Sequence, residues 1–558
     1  MDFIRRHFRE STSTSVVESD EELFFDKDGH LEFAPNDPEN PKNYSYGRKC
    51  YITTIAICLV MNATFSSSAP SGSFQGVSDD LHVSVEAAGL VTTLFLLGYC
   101  AGPLFWAPLS EFYGRRWIFY ISFTLYLAFG FLCAFTPNFA GLLVGRFLTG
   151  TAVSAALTNA PGILADIWGP VERGNAMILF ATMTFVGPAL GPVVSGFLQL
   201  KETWRWTFYV LLWMAGATEL LLITLPETLP MMVLRNKARR LRKLPGKESV
   251  KAPVEASDRS LGGIFKVALT RPWRLLFDPI SFFVAIYYAV VYTLLYMLFS
   301  IYPIVFQQKR GWNAGVGELP LIGTVIGACL RRPSVKKHTD DRKSVPEDRL
   351  PGAMVGGVMF AVTIFWFAWT AVYNSVHWAV PTVAGAFLAT SILLIFVVFI
   401  NYIIDSYLMY AASAVAANTV LRSACAAASP LFTQYMFDAL GVGGAGSLIG
   451  GVGILMMPIP FVFYKYGAAI RARSKFAPTD ETPHPPVDEE KAVNSRSPSH
   501  TFEKEYEPVD ENTGGHERVI GSSELPLTPY AKAVSDFAVR ASESNKYPYQ
   551  IELPNSLK

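Results

Sequence analysis

Twelve stretches of roughly twenty apolar residues follow one another along this 558-residue chain, each almost free of charge. A helix of that length crosses the ~30 Å hydrocarbon core of a bilayer, and it satisfies its own backbone hydrogen bonds there. Only 17% of the residues are charged, against about a quarter in a typical soluble domain. The sequence therefore predicts an all-α, multi-pass membrane protein. The predicted spans cover residues 51–72, 87–109, 117–136, 140–163, 176–198, 206–225, 280–306, 315–331, 352–373, 379–403, 407–436 and 446–466.

Polar segments divide the chain into five parts. Residues 48–226 and 280–470 hold six predicted spans each, and residues 227–279 form a basic loop between them. We expect residues 1–47, which are polar and acidic, to be a disordered arm, and residues 471–558, which are polar and rich in proline and serine, to be a disordered acidic tail. Within the basic loop, apolar and basic residues alternate at helical spacing, which predicts an amphipathic helix on the anionic inner leaflet.

Basic side chains are concentrated in alternate loops, among them Arg115 and Arg116, the central loop and the segment after the eighth span. The positive-inside rule then places both termini in the cytosol. The net charge of +1 gives no reason to expect a nucleic-acid partner, and the six cysteines lack metal-site spacing. We expect a monomer in lipid, without metal or cofactor, in the plasma membrane, with the vacuolar membrane as the alternative.

The turn after the second span, residues 107–116, reads Ala-Pro-Leu-Ser-Glu-Phe-Tyr-Gly-Arg-Arg. Gly114 permits a tight turn, and we expect Glu111 to lie near a helix N-terminus, where an anion is favoured. We expect Arg115 to pair with Asp166, at the inner end of the fourth span, and to hold the two halves closed on the cytosolic side. The alternative is that Arg115 and Arg116 are only a basic anchor.

The fourth and fifth spans carry two further unusual patterns. Arg146 lies inside the fourth span, where an arginine is costly and usually faces protein or a watery cavity. The alternative is a side chain that reaches back to the outer surface. In the fifth span the prolines are expected to kink the helix, and the glycines let a neighbouring helix approach closely. This pattern consists of Gly187, Pro188, Gly191 and Pro192.

Together these motifs resemble the major facilitator superfamily, and within it the fungal twelve-span drug:proton antiporters, close to the polyamine and azole exporters. The turn 107–116 is similar to the loop signature between helices 2 and 3 of that superfamily, with Ala107 in place of the first glycine and Glu111 in place of an aspartate. The fifth span resembles the antiporter signature, and Arg146 matches an arginine linked to proton coupling. The resemblance covers about residues 36–475 and implies two six-helix halves, alternating access and no enzyme activity.

Proton coupling requires a carboxyl group that changes its protonation during transport, and acids inside the spans are few. Glu219, in the middle of the sixth span, is the first candidate. Glu111 and Asp166 at the inner mouth are alternatives, as is Asp405 near the end of the tenth span. Arg422 lies in the middle of the eleventh span and is expected to be the partner of a carboxylate or of the ligand, with a purely structural pairing as the alternative.

The inferred fold places the first, fourth, seventh and tenth spans around a central cavity. Three tyrosines of the seventh span are three or four residues apart and therefore share one helix face. Aromatic faces suit flat apolar drugs and organic cations, although plain packing between helices is equally expected. The candidate lining residues are Asn62, Asn159, Tyr288, Tyr292 and Tyr296.

The sequence thus predicts a proton-coupled efflux transporter that exports drugs, toxins or polyamine-like small molecules. No segment resembles the phosphate-cradling Gly-x-x-x-x-Gly-Lys-Ser/Thr loop, so ATP is not expected to drive it. Two alternatives stay open: a facilitator or nutrient importer of the same fold, and a non-transporting receptor that signals through its acidic tail.

Overall fold

The first six predicted spans are helices, with bounds close to those expected. The computed structural model describes residues 23–26, 29–256, 261–329, 346–407, 410–474 and 476. Polar side chains begin two of these helices, because Ser84 and Asn138 each accept a hydrogen bond from a backbone N–H three residues ahead. Spans 1 to 6 are Tyr46–Ser68, Val85–Tyr113, Arg115–Phe135, Phe139–Ile167, Pro170–Lys201 and Arg205–Leu222. A 3-10 segment, Ala69–Ser73, and a short helix, Phe74–Leu81, connect spans 1 and 2.

The second set of six spans departs further from expectation. Span 7 continues into a π-helix, and span 8 consists of two short helices whose predicted end lies outside the described residues. No loop separates spans 11 and 12: two helices meet directly at Gly441, whose φ of +68° and ψ of 170° interrupt the helical backbone. The helices are Pro279–Tyr302, Pro303–Lys309, Ala314–Glu318, Leu321–Cys329, Pro351–Val372, Ala379–Tyr407, Ala411–Met456 and Pro458–Arg473.

Nine helical segments of the described residues are long and apolar enough to cross a membrane. The last of them, Ser413–Arg473, contains both span 11 and span 12. Span 6, whose 18 residues include the charged Arg205 and Glu219, and span 8, Ala314–Cys329, which is shorter still, are not among the nine. Every predicted span therefore corresponds to a helical segment.

The expectation of a disordered arm over residues 1–47 is wrong for residues 23–26 and 29–45. Strand β1, Phe24–Phe25, pairs antiparallel with strand β2, Leu31–Glu32. Leu31 packs on the apolar side of the loop helix Pro230–Leu241, and Lys237 of that helix forms a buried 2.8 Å ion pair with Asp37. The apolar residues Leu234, Ala238 and Leu241 of the loop helix pack on the arm and on the loop segment around Val250, which corrects the expectation that they lie on the membrane surface. The remainder of the arm, residues 1–22, and the predicted tail beyond residue 476 lie outside the described residues.

The two halves meet along two pairs of spans. Span 2 packs against span 11, and span 5 packs against span 8. The contact is close where glycine removes a side chain: a Cβ atom on Gly89 of span 2 would lie 3.3 Å from Pro430 of span 11. On the other side, a Cβ atom on Gly196 of span 5 would lie 2.7 Å from the carbonyl oxygen of Ala314. Side chains in the middle of these spans therefore lie between the two halves.

Candidate functional site: the charged turns and the centre of the bundle

The turn between spans 2 and 3 depends on a glycine and a carboxylate. Gly114 has a φ of +95°, and a Cβ atom there would lie 2.4 Å from Glu227 Oε2. The Glu227 carboxylate accepts hydrogen bonds from the backbone N–H groups of Arg115 (3.0 Å) and Arg116 (3.2 Å). The anion at this helix N-terminus is therefore Glu227. Glu111, which we expected in that role, is exposed.

The ion pair between Arg115 and Asp166 is present, with Nε 2.8 Å from Oδ2. The guanidinium lies over Gly162, where a Cβ atom would be only 2.4 Å from Arg115 Cζ. Both partners belong to spans 3 and 4, however, so the pair lies within the N-terminal half and does not itself join the halves. The Arg116 side chain turns elsewhere and donates to the Tyr120 hydroxyl at 2.9 Å.

The C-terminal half has a corresponding set of charges. Arg349, before span 9, lies 2.5 Å from Asp405 at the end of span 10. This pair corresponds in position to the pair of Arg115 and Asp166 in the first half. Arg471 of span 12 donates two hydrogen bonds to Glu347, at 2.9 and 3.0 Å. Asp405 is thus half of an ion pair at the end of the helices, and Arg349 compensates its charge.

Arg146 is 1% exposed, so its side chain does not reach the surface. Its Nε donates to the carbonyl oxygen of Val91 (3.0 Å), and its Nη2 donates to that of Ser66 (2.8 Å). Its guanidinium lies 4.0 Å from the centre of the Phe95 ring. No carboxylate of the described residues pairs with it. Arg146 therefore joins spans 1, 2 and 4 through backbone oxygens.

The glycine and proline pattern of span 5 places that helix directly on span 1. A Cβ atom on Gly187 or Gly191 would lie 2.0 Å or 2.5 Å from a hydroxyl oxygen of span 1. Pro192 has no N–H, so the carbonyl oxygen of Pro188, four residues earlier, loses its donor within the helix. Ser68 of span 1 donates to that oxygen at 2.7 Å. The helix runs unbroken through both prolines.

The three tyrosines of span 7 lie together in the middle of the bundle, and none is more than 4% exposed. The Tyr288 hydroxyl donates to the carbonyl oxygen of Phe396 in span 10 at 2.5 Å. The Tyr296 hydroxyl donates to Ser67 of span 1 at 2.8 Å, across the boundary between the halves. Tyr292 packs edge-on against Tyr296. We call the three tyrosines and Arg422 the central cluster.

Arg422 lies beside two aromatic rings, and no polar group of the described residues forms a hydrogen bond with it. Its Cζ lies 4.6 Å from the centre of the Tyr292 ring and 5.0 Å from that of Phe396. The side chain is 7% exposed, and its Nη1 has no hydrogen-bond partner. Asn418, one turn earlier, donates to Ser281 at 3.1 Å, while its Oδ1 has no partner. No carboxylate of the described residues neutralises Arg422.

The two asparagines expected in the cavity bond within the N-terminal half instead. Asn62 donates to Thr218 of span 6 at 2.7 Å, and Asn159 accepts from Ser110 of span 2 at 2.9 Å. Glu219 accepts a hydrogen bond from Thr124 of span 3 at 2.8 Å, so it lies between spans 3 and 6 and away from the central cluster.

Sequence reasoning missed Glu318, which lies where spans 5, 7 and 8 meet. The residue is 0% exposed, and its Oε1 accepts a hydrogen bond from Gln307 at 3.0 Å. Its Oε2 has no hydrogen-bond partner within the part of the chain that the structure describes, and a Cβ atom on Gly196 of span 5 would lie 3.1 Å from its Cγ. An acid inside the predicted span 315–331 was the available signal.

Comparisons with known proteins agree with this architecture. The profile of the Major Facilitator Superfamily matches residues 55–430. The chain is 40% identical over 459 residues to the efflux pump FUB11 of Gibberella moniliformis, which covers 80% of this chain and 77% of that protein. It is 42% identical over 465 residues to the MFS-type efflux pump MFS2 of Trichophyton rubrum, with coverage of 80% and 77%. The solved structure of the proton:xylose symporter XylE superposes with a TM-score of 0.56 at 16% identity, covering 76% of this chain and 96% of that one.

The likeness to XylE shows the fold alone, whereas the relatives at about 40% identity share most of their length with this chain. The chain belongs to the Major Facilitator Superfamily. Within it, the chain is an efflux transporter of the fungal drug-efflux branch, which the multidrug transporter mdrA of Aspergillus fumigatus also represents at 39% identity over 457 residues. The predicted fold class and the predicted efflux function are confirmed.

Proposed function

We propose that this transporter exports small organic molecules across the plasma membrane in exchange for protons, and that Glu318 carries the proton. One observation supports the second part: Glu318 is fully buried between the halves, and one of its oxygens has no partner. An ionisable side chain inside a span is costly, and it commonly marks a proton or substrate pathway.

The surroundings of Glu318 give it two different environments during transport. In this structure it faces Gln307 of the π-helix after span 7 and Gly196 of span 5, and no cation among the described residues pairs with it. When the halves separate on this side, Gly196 moves away and the carboxyl group meets outside water. Protonation there lets the halves close over a neutral group, since burying an unpaired charge is costly. Release of that proton once the other side opens completes the exchange.

Transport by purified protein in liposomes tests the proposal. The measurement is the movement of a panel of anionic, neutral and cationic aromatic compounds, with and without an imposed pH gradient. We expect transport that depends on the gradient and stops on addition of a protonophore. Transport by the wild type that ignores the gradient would contradict antiport, and a facilitator would behave in that way.

The role of Glu318 needs a separate comparison. We expect Glu318→Gln to lose gradient-driven transport while it still exchanges external for internal substrate, because the neutral amide fits the closed site but carries no proton. Glu202→Gln is the matched control, since Glu202 is exposed at the outer end of span 5. Gradient-driven transport by Glu318→Gln at the wild-type rate would exclude Glu318 as the carrier and return Glu219 as the next acid to test.

The same proposal includes a monomer in lipid, both termini in the cytosol, no cofactor and no enzyme reaction. Support for the orientation comes from the basic residues Arg115, Arg116, Arg349 and Arg471, which lie at the helix ends on the side of the N-terminal arm. Fluorescence microscopy of a tagged chain distinguishes the plasma membrane from the vacuolar membrane.

A further inference from the structure

The charge at the centre of the bundle points to the chemistry of the exported molecule. We propose that the transporter binds aromatic carboxylates, with the carboxylate on Arg422 and the ring among Tyr292, Tyr296 and Phe396. This inference rests on the proposed export function and names the substrate class that the central cluster recognises.

The first step of the argument is that Arg422 lacks a counter-charge. A buried guanidinium is costly unless hydrogen bonds and an opposite charge compensate it. Arg146 shows how this chain compensates one: it donates to two backbone carbonyl oxygens and to a hydroxyl of span 1. Arg422 makes no such bonds within the described residues, and the two rings beside it compensate only part of the cost. A bound anion supplies the missing counter-charge and hydrogen-bond acceptors.

The second step is the position of Arg422. It lies eleven residues after Ala411, the start of its helix, or about 16 Å along the axis and so near the middle of a ~30 Å core. The N-terminal half reaches the same turn of span 11, because Cys100 of span 2 contacts the carbonyl oxygen of Val420 at 3.6 Å. A ligand at Arg422 therefore lies between the two halves, where alternating access exposes it to each side in turn.

The third step is the shape and polarity of the surroundings. A guanidinium presents paired N–H donors that match a carboxylate, and flat rings stack on the aromatic part of a ligand. The partnerless Oδ1 of Asn418 accepts a hydrogen bond from a ligand hydroxyl or N–H group. A cation at this place is repelled by Arg422. Polyamines and cationic dyes are therefore poor substrates, although the tyrosines of span 7 alone would accept them. The inside-negative membrane potential also favours the outward movement of an anion.

Binding to purified full-length protein in lipid nanodiscs tests the inference with three probes that share one ring system. The probes are 1-naphthoate, neutral 1-naphthamide and cationic 1-naphthylmethylammonium, measured by isothermal titration calorimetry. We expect naphthoate to bind most tightly. Arg422→Gln should weaken naphthoate binding roughly 10- to 100-fold, the usual worth of a hydrogen-bonded ion pair, and leave naphthamide binding unchanged.

Two further variants keep the result interpretable. Arg422→Lys keeps the charge, so it should retain part of the preference for naphthoate even if the glutamine variant fails to fold. Arg473→Gln is the matched control, because Arg473 is exposed at the end of span 12. Tightest binding of the cation, equal naphthoate binding by wild type and Arg422→Gln, or binding of none of the three probes would each overturn the inference. Binding needs no pH gradient, so a preference for naphthoate in a protein without gradient-driven transport would refute antiport and leave this inference standing.

Discussion

At the scale of single residues, Arg146 makes the most demanding prediction, since its guanidinium holds together three helices of the N-terminal half. Arg146→Ala removes one hydrogen-bond donor each from the carbonyl oxygens of Val91 and Ser66 and opens a void beside Phe95. We expect a loss of at least about 3 kcal/mol of stability, together with the loss of efflux. Thermal unfolding in detergent measures the first, and liposome transport of whichever panel compound the wild type moves measures the second.

Arg146→Lys separates geometry from charge. One ammonium group cannot reach both carbonyl oxygens, so we expect this variant to be less stable than the wild type although its charge is kept. Arg473→Lys, at an exposed position, is the control for arginine-to-lysine exchange as such. If Arg146→Ala keeps the melting temperature of the wild type, the structural role assigned to Arg146 is wrong.

Residues differ in how far the sequence predicts their surroundings. Tyr288, Tyr292 and Tyr296 are four residues apart and must share a helix face, so their grouping in the bundle follows from periodicity alone. Asn62 and Asn159 show the limit, because a helix inside a bundle buries several faces and periodicity does not say which neighbour each face meets. Glu318 was missed for a related reason: it lies near the start of the shortest span, where an acid is easily taken for part of a loop.

At the scale of helices, the contact between spans 1 and 5 shows how a proline is tolerated inside a membrane. Ser68 supplies the hydrogen bond that Pro192 removes from the carbonyl oxygen of Pro188. We expect Ser68→Ala to cost about 1–3 kcal/mol of stability, since it leaves a buried carbonyl oxygen without a partner. In a Pro192→Ala background the helix regains its own N–H donor, so the same change should cost much less. Thermal unfolding of the wild type, both single variants and the double variant gives this coupling, and equal costs in both backgrounds would show that Ser68 does not compensate the proline.

Helix boundaries and the segments between helices were the least predictable elements. The loop expected between spans 11 and 12 is a bend at Gly441, because a glycine at positive φ redirects a helix without a polar connection. The arm before span 1 is ordered where Leu31 and Asp37 meet the loop helix. That contact joins segments about two hundred residues apart, so no local sequence pattern predicts it.

At the scale of the whole molecule, the two halves carry similar charged turns but are joined by few polar contacts. Arg115 pairs with Asp166 as Arg349 pairs with Asp405, which is the relation expected of two repeated halves. Each pair lies within its own half, so neither resists the separation of the halves. Hydrogen bonds that cross the boundary, such as that from Tyr296 to Ser67, are therefore the contacts that set the balance between closed and open states.

Removing that bond should move the protein toward the state that opens beside span 8. Tyr296→Phe deletes only the hydroxyl, and the loss of about 0.5–1.5 kcal/mol corresponds to a roughly two- to tenfold larger open population. A cysteine placed at Ala314, whose carbonyl oxygen packs on Gly196 in this structure, reports that opening by its rate of labelling with a membrane-impermeant maleimide. Peptide mass spectrometry follows the labelling of this cysteine, which we expect to accelerate in Tyr296→Phe. Tyr464→Phe is the control, because Tyr464 is 51% exposed on span 12, and it should leave the labelling rate unchanged. Unchanged labelling in Tyr296→Phe would mean that apolar packing between spans 5 and 8, and not this hydrogen bond, keeps the halves together.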